Sequence, residues 1–442
     1  MIRSTRIKVA ALAAVAALSL AACSSGGGSS TPTASAGGAA NPTTLTFWHY
    51  EGDDSAMAQS WTAAIKEFEA ANPGVTVKVE KQTFEQLQKN AKIVLAGKDV
   101  PDVMEYNKGN ATAGQLASQG LLTDLSADAK TYGWDTKLPS SVQTTAKYDS
   151  NGLMGSGNWF GVPSYGEYVT VFYNKDMFAK YGVAVPTSLS ELESAMGTFV
   201  KNGVTPLAEA GAEYPLGQLW YELVLSGADR SFVDNFQLFK GDVSFTSGPL
   251  LDGTTKLADW VQKGYLSKDS SGLKAEDMGT AFIAGKYPIM VSGSWWFGRL
   301  NKEVTTFKLG QFTFPGNTLN AGSSGNLLVV PKNSKNAALA AKFIDATLGK
   351  TAQDTSASLG GLPVAGDSST ITDANTQTLQ KNFDAVVKQD GLAFYPDWPV
   401  AGFYDQVVSF GQSVVNGSKA PADALKDLGT FYDSGRKDLT GK

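Results

Sequence analysis

The sequence predicts an α/β fold arranged in two domains, and three observations carry that expectation. From residue 44 onward short apolar runs alternate with amphipathic helical stretches, and strand–helix–strand alternation implies a mostly parallel sheet layered between helices. About 400 residues follow a low-complexity stretch near the start, too many for one compact core. Polar and aromatic residues, rather than plain turn residues, follow the strand ends, which is where open α/β sheets hold ligands.

The elements follow in order. "MIRSTRIKVAALAAVAALSLAAC" has basic Arg3, Arg6 and Lys8, an apolar run from Val9 to Leu20, and small residues after it. This reads as a secretory signal peptide over 1–22, too short and wrongly flanked to span a membrane. Leu20-Ala21-Ala22-Cys23 resembles the lipobox of bacterial lipoproteins, which implies cleavage before Cys23 and lipidation of its thiol. Cys23 is the chain's single cysteine, so an internal disulfide is impossible. Residues 23–42 are nearly all Gly, Ser, Thr, Ala and Pro, the composition of a flexible tether.

"TLTFWHY" (44–50) reads as a first strand. A helix over 56–74 places Trp61, Ile65 and Phe68 on one face and stops at Asn72-Pro73-Gly74. "VTVKVEKQ" (75–82) is a second strand. The next helix (83–98) turns Leu87, Ile93 and Val94 inward, and "PDVMEY" (101–106) is a third strand. The stretch "WFGVPSYGEYVTVFYNKDMFAKYGV" (159–183) holds a turn, a long alternating strand ending in Tyr173-Asn174-Lys175-Asp176, a helix and a glycine stop.

Without Arg3, Arg6 and Lys8, 34 basic residues face 42 acidic ones, a net charge of −8 that argues against a nucleic-acid partner. No later segment is apolar for long enough to span a membrane. The chain has one histidine, His49, and no G-x-S-x-G, H-E-x-x-H, Walker A or EF-hand pattern. A glycosidase would need only two carboxylates, and Glu51, Glu105, Glu167 and Asp397 are available. That chemistry stays open on composition.

Six ordered segments are similar to one family: the opening Phe-Trp strand with "ANPGVTVKV", then "GKDVPDVMEY", "GVPSYGEYVTVFYNKDMF", "AFIAGKYPIMVSGSWW", "NLLVVPKNSKNAALAAKFIDATL" and "GGLPV". They resemble the family 1, maltose-binding-protein-like extracellular solute-binding proteins of carbohydrate ATP-binding-cassette importers. The resemblance covers nearly all of 44–440. It implies a two-lobed periplasmic-binding-protein-like fold with the ligand in a cleft at the hinge. Carried over, the first lobe is 43–166 plus 315–348 and the second is 172–308 plus 352–435. The crossings fall near 166–172, at 308–316 and near 348–352. The implied role is binding without catalysis or cofactor. A di- or trisaccharide would be taken up on lobe closure and delivered to permease subunits with a cytoplasmic ATPase. The protein would be a monomer, held at the outer face of the cytoplasmic membrane through Cys23. A polyol, glycerol phosphate or peptide ligand on the same fold is the alternative, and a secreted glycoside hydrolase a third reading.

A sugar offers apolar ring faces and hydroxyl edges, so it calls for aromatic platforms with a few convergent polar groups. The chain has 9 Trp and 15 Tyr. In "GSWW" neighbouring residues point to opposite faces if the strand continues, so one core cannot hold both rings. The resemblance puts sugar stacking on Trp295, with Trp296 the choice if the register slips by one. Tyr106 matches an aromatic cleft position, with Glu105 and Asn107 as edge partners. Glu167 matches an acidic position that accepts sugar hydroxyls, and Tyr165 flanks it. His49, Tyr50 and Glu51 end the first strand; a lone His is more often structural than a contact. Trp220 has helical spacing with Leu216 and Leu223, so core and cleft both stay open. Pro396 and Pro399 exclude a regular helix and make a rigid loop presenting Asp397 and Trp398, with Tyr395 before them and Tyr404 beyond. Asn326 opens a strand that returns to the first lobe. The maltose-binding members carry a Lys and an Asp after the first strand; "HYEGDD" has no Lys, so maltose itself is not implied.

Overall fold

Leu45, Phe47 and His49 point inward from strand β1 (Thr43–His49), the first element of a computed structural model that describes residues 43–441 apart from 367, 368 and 370. The leader, Cys23 and the tether lie outside the described residues. β1 pairs in parallel with β2 (Val75–Lys81) from Thr43↔Val75 to His49↔Lys81, and with β3 (Val103–Tyr106) at Phe47↔Val103. Between β1 and β2 runs the helix Ala56–Ala71. Its N-cap Ser55 accepts from the Ala58 amide, and Met57, Trp61, Ala64 and Phe68 are buried. The helix Phe84–Leu95 starts with a capping box, Thr83 accepting from Gln86 N–H and the Gln86 side chain returning to Thr83 N–H. Its buried stripe is Leu87, Ala91 and Leu95, one residue every helical turn, which leaves Ile93 75% exposed rather than inward as the sequence reading had it.

β4 (Lys147–Tyr148) and β5 (Asn158–Trp159) form a small hairpin. β6 (Val162–Pro163) belongs to the first sheet, and the chain passes through Ser164 directly into β7 (Tyr165–Asn174), all of whose residues are buried. β8 (Leu207–Ala208), β9 (Ile289–Gly293), β10 (Leu309–Phe312), β11 (Gly322–Ser324), β12 (Leu327–Val329) and β13 (Leu362–Pro363) complete the strands described. The first sheet has the order β2-β1-β3-β12-β6. In the second, the order is β10-β7-β9-β8, with β11 and β13 on the first half of β7.

The α/β class agrees with the sequence, but the sheets differ in how parallel they are. In the second sheet only the pair β8–β9 is parallel, and β9, β10, β11 and β13 all run antiparallel to β7. The chain changes sheet at Ser164 and between Ser324 and Leu327. It changes again after the helix Lys350–Ser358, which rests on the first helix through Ser60 Oγ to Ala352 O at 2.8 Å, and before β13. The segment 308–316 holds β10, which lies along the second half of β7. No helix among the described residues is long and apolar enough to cross a membrane.

Candidate functional site

The carboxyl ends of β1 and β3 release Tyr50, Glu51, Asn107 and Lys108 on one side of a cavity of about 230 Å³. Phe84, Tyr165, Glu167 and Asn326 join them at the places where the chain starts a helix or changes sheet. The far wall comes from Tyr214 and Gln218, one turn apart on the helix Tyr214–Leu225, from Trp295 after β9, and from Tyr395, Asp397, Trp398 and Tyr404. Tyr404 closes one end, its hydroxyl donating to Glu85 Oε1 at 3.3 Å.

Lys108 anchors the polar centre. Its ammonium lies 2.5 Å from Glu167 Oε1 and 2.9 Å from Asn326 Oδ1. It also sits 5.2 Å from the Trp398 ring and 5.7 Å from that of Tyr395. Asn326 passes the network on, donating to Glu105 Oε1 at 3.0 Å, and the Tyr50 amide donates to Glu105 Oε2 at 3.1 Å. Glu105 is wholly buried one layer behind Glu51. Burial first, then the charge of Glu51 on Glu105 and that of Glu167 on Glu51, push both carboxyls up. Burial also lifts Glu167 despite Lys108, and raises Asp397 to about 6.

The two tryptophans part company in the short 3₁₀ turn Ser294–Trp296. Trp295 is partly exposed to the cavity and meets Tyr214 edge-on at 5.6 Å and Tyr395 at 6.1 Å. Trp296 turns into the second core beside Gly279, with the Arg299 guanidinium 5.5 Å from its ring. Both indole N–H groups donate to the Tyr214 hydroxyl, at 3.3 and 3.1 Å.

The model of one protein family, the bacterial extracellular solute-binding protein, matches residues 54–354, well over half the chain. The chain belongs to that family. The diacetylchitobiose binding protein DasA of Streptomyces coelicolor is 26% identical over 411 residues, 87% of this chain and 88% of that one. A probable sugar-binding periplasmic protein of Brucella suis is 28% identical over 191 residues, and the match spans 42% of each chain. A solved chitin oligosaccharide binding protein gives a TM-score of 0.74 at 21% identity, covering 89% of this chain and 99% of the other. RafE in complex with raffinose gives 0.70 at 20% identity, covering 89% and 100%. At these identities the structural likeness establishes the fold, the two-lobed periplasmic-binding-protein-like one.

In this solute-binding protein the cavity gathers Glu51, Asn107, Tyr165, Glu167, Trp295, Asn326, Asp397, Trp398 and Tyr404 from among the residues the sequence pointed to. Glu105 supports the wall from behind. Four others lie elsewhere. Trp296 is in the core as described. His49 packs between Phe47 and Trp61, and burial and then Lys81 lower its pKa to about 4, so it is a neutral core residue. Tyr106 follows Glu105 in β3 and takes the opposite face. Trp220 is buried, donating to Thr254 Oγ1 at 2.8 Å and packing on Phe410. Tyr50, Phe84, Lys108, Tyr214, Gln218 and Tyr395 complete the wall; the sequence places Tyr50 at the end of the first strand and Tyr395 in the proline-bounded loop, and the other four were not singled out. Lys108 reads as a solvated turn residue in "EYNKG". The four-residue step from Tyr214 to Gln218 is the one pattern that could have paired those two. Among the described residues no group of His, Cys, Asp and Glu could hold a metal ion.

Proposed function

We propose that the chain is the substrate-binding component of an ATP-binding-cassette sugar importer and takes a di- or trisaccharide into the cavity between the sheets. The supporting observation is the wall itself. Eight aromatic rings and seven polar side chains, drawn from both sheets and their loops, surround one cavity. Rings match sugar faces, and Asn107, Glu167, Gln218 and Asp397 match hydroxyl edges. The relatives described as sugar-binding favour the same reading. Arg299 is paired with Glu276 and Glu303 outside the cavity, which disfavours a phosphorylated solute.

In this reading the lobes meet at the changes of sheet at Ser164, between 324 and 327, and after 358. Ligand contacts one lobe, the lobes close, and the closed form docks on the permease and its ATPase. No bond is broken. Lipidation at Cys23 holds the monomer at the outer face of the cytoplasmic membrane. Tryptophan fluorescence and the melting temperature of residues 43–442, read against mono- and oligosaccharides, test the proposal. A ligand that binds only the folded state raises the melting temperature. A shift with one oligosaccharide supports the reading. A shift only with a peptide or phosphorylated solute, or turnover of a chromogenic glycoside, removes it.

A further inference from the structure

We propose that the saccharide carries a positive charge, an amine-bearing sugar whose ammonium sits between Glu51 and Asp397; this rests on the sugar-binding reading above. Three carboxyls line the cavity, Glu51, Glu167 and Asp397, and a fourth, Glu105, lies directly behind Glu51. Among the described residues the lining has one cation, Lys108, and it is already engaged with Glu167 and Asn326. Nearby cations are committed elsewhere: Lys81 pairs with Asp53, Lys302 with Asp54, and Arg299 with Glu276 and Glu303. The charge left facing the cavity is therefore negative.

A neutral sugar needs acceptors but not surplus charge, and amides such as Asn107 and Gln218 already accept. Glu51 and Asp397 are half-buried, and carboxylates grouped in such a wall repel one another unless protons or a ligand cation offset their charge. An ammonium offers N–H donors to carboxylates in charge-assisted bonds about twice as strong as neutral ones. Its neighbours suit it as well. Trp398 and Tyr395 already accept a cation over their faces, and Trp295 stands 6.1 Å from Tyr395. The Tyr395 hydroxyl, in a residue only 5% exposed, lies beside Glu167, so Glu167 is held by Lys108 and Tyr395 while Glu51 and Asp397 have no cation of their own among the described residues.

Three disaccharides that differ at one substituent test the idea by calorimetry on the purified protein at neutral pH. They are β-1,4-linked diglucosamine, its di-N-acetyl form and cellobiose. The expected result is diglucosamine binding on the order of tenfold tighter than either neutral analogue. Glu51→Gln and Asp397→Asn, each checked for an unchanged unfolding transition, should shrink that preference toward unity; two variants guard against one failing to fold. Equal or tighter binding of cellobiose or the acetylated form overturns the charge proposal and leaves the sugar reading standing. Failure of all three overturns the proposal as stated, and the wider sugar panel then decides separately on the function.

Discussion

Lys108 Nζ lies 2.5 Å from Glu167 Oε1, with 2% and 7% of the two side chains exposed, so the pair is an ion pair taken almost wholly out of water. It joins the loop after β3 to the third residue of the strand β7, just past Ser164, where the chain leaves one sheet for the other. Removing one member strands the other's charge, which costs about 3–5 kcal/mol. Lys108→Met should therefore lower the urea midpoint, and Lys108→Met with Glu167→Gln should recover part of the loss. An unchanged midpoint in the single variant would mean that Glu167 simply takes up a proton and the pair contributes nothing.

Adjacent Trp295 and Trp296 should separate by phenotype. Trp296 is buried against Gly279 and Phe297's neighbourhood in the second core, so Trp296→Ala is expected to cost about 3–5 kcal/mol of stability. Trp295 faces the cavity, so Trp295→Ala should cost little stability but weaken sugar binding by about 2 kcal/mol, roughly thirtyfold. Chemical unfolding and calorimetry on both variants check this. The reverse pattern would move the stacking role to Trp296.

That division also shows what could be read from sequence. The doublet signalled that one ring must leave the core, but strand alternation supplied the wrong geometry, since a 3₁₀ turn separates them. The strand ends after β1 and β3 were legible because parallel strands with polar ends have few other uses. Lys108 was not, because a lysine becomes a wall residue only when Glu167, some sixty positions on, is folded beside it. His49 likewise looked like a strand-end group until Trp61 and Phe47 closed around it. The antiparallel second sheet was hidden too: β7 pairs with segments from four distant parts of the chain, and no local pattern records that.

Gly293 holds Trp295 in place through absence of a side chain. Its φ of −70° suits any residue, so conformation is not the reason. A Cβ there would collide with the Trp295 ring. Gly293→Ala should push the indole off the cavity wall, lowering sugar affinity several-fold and shifting the tryptophan emission, at a stability cost of about 1–3 kcal/mol. Gly279→Ala, which presses on Trp296 instead, should lose stability while keeping affinity. Equal affinity loss in both would point to general loosening rather than to ring placement.

Stability should fall as pH rises from mildly acidic to mildly alkaline. Glu222 is fully buried, with Oε1 accepting from the Ala321 amide and Oε2 from Asn317 Nδ2, both at 2.8 Å, and burial pushes its pKa up to about 8. Burial does the same to Glu209, also to about 8. Between the unfolded carboxylate value of about 4.3 and the folded value, the native state holds a proton that the unfolded state has released. The unfolded state binds fewer protons, so each such group lowers stability by about 1.4 kcal/mol per pH unit across that window. Its contribution is whole below the unfolded pKa and gone above the folded one. Glu222→Gln cannot ionise, so its melting temperature should drop less between about pH 5 and pH 8 than that of the native protein. Thermal unfolding at a series of pH values measures this directly. A slope identical in the variant would show that Glu222 stays ionised in its buried site and that the dependence arises elsewhere.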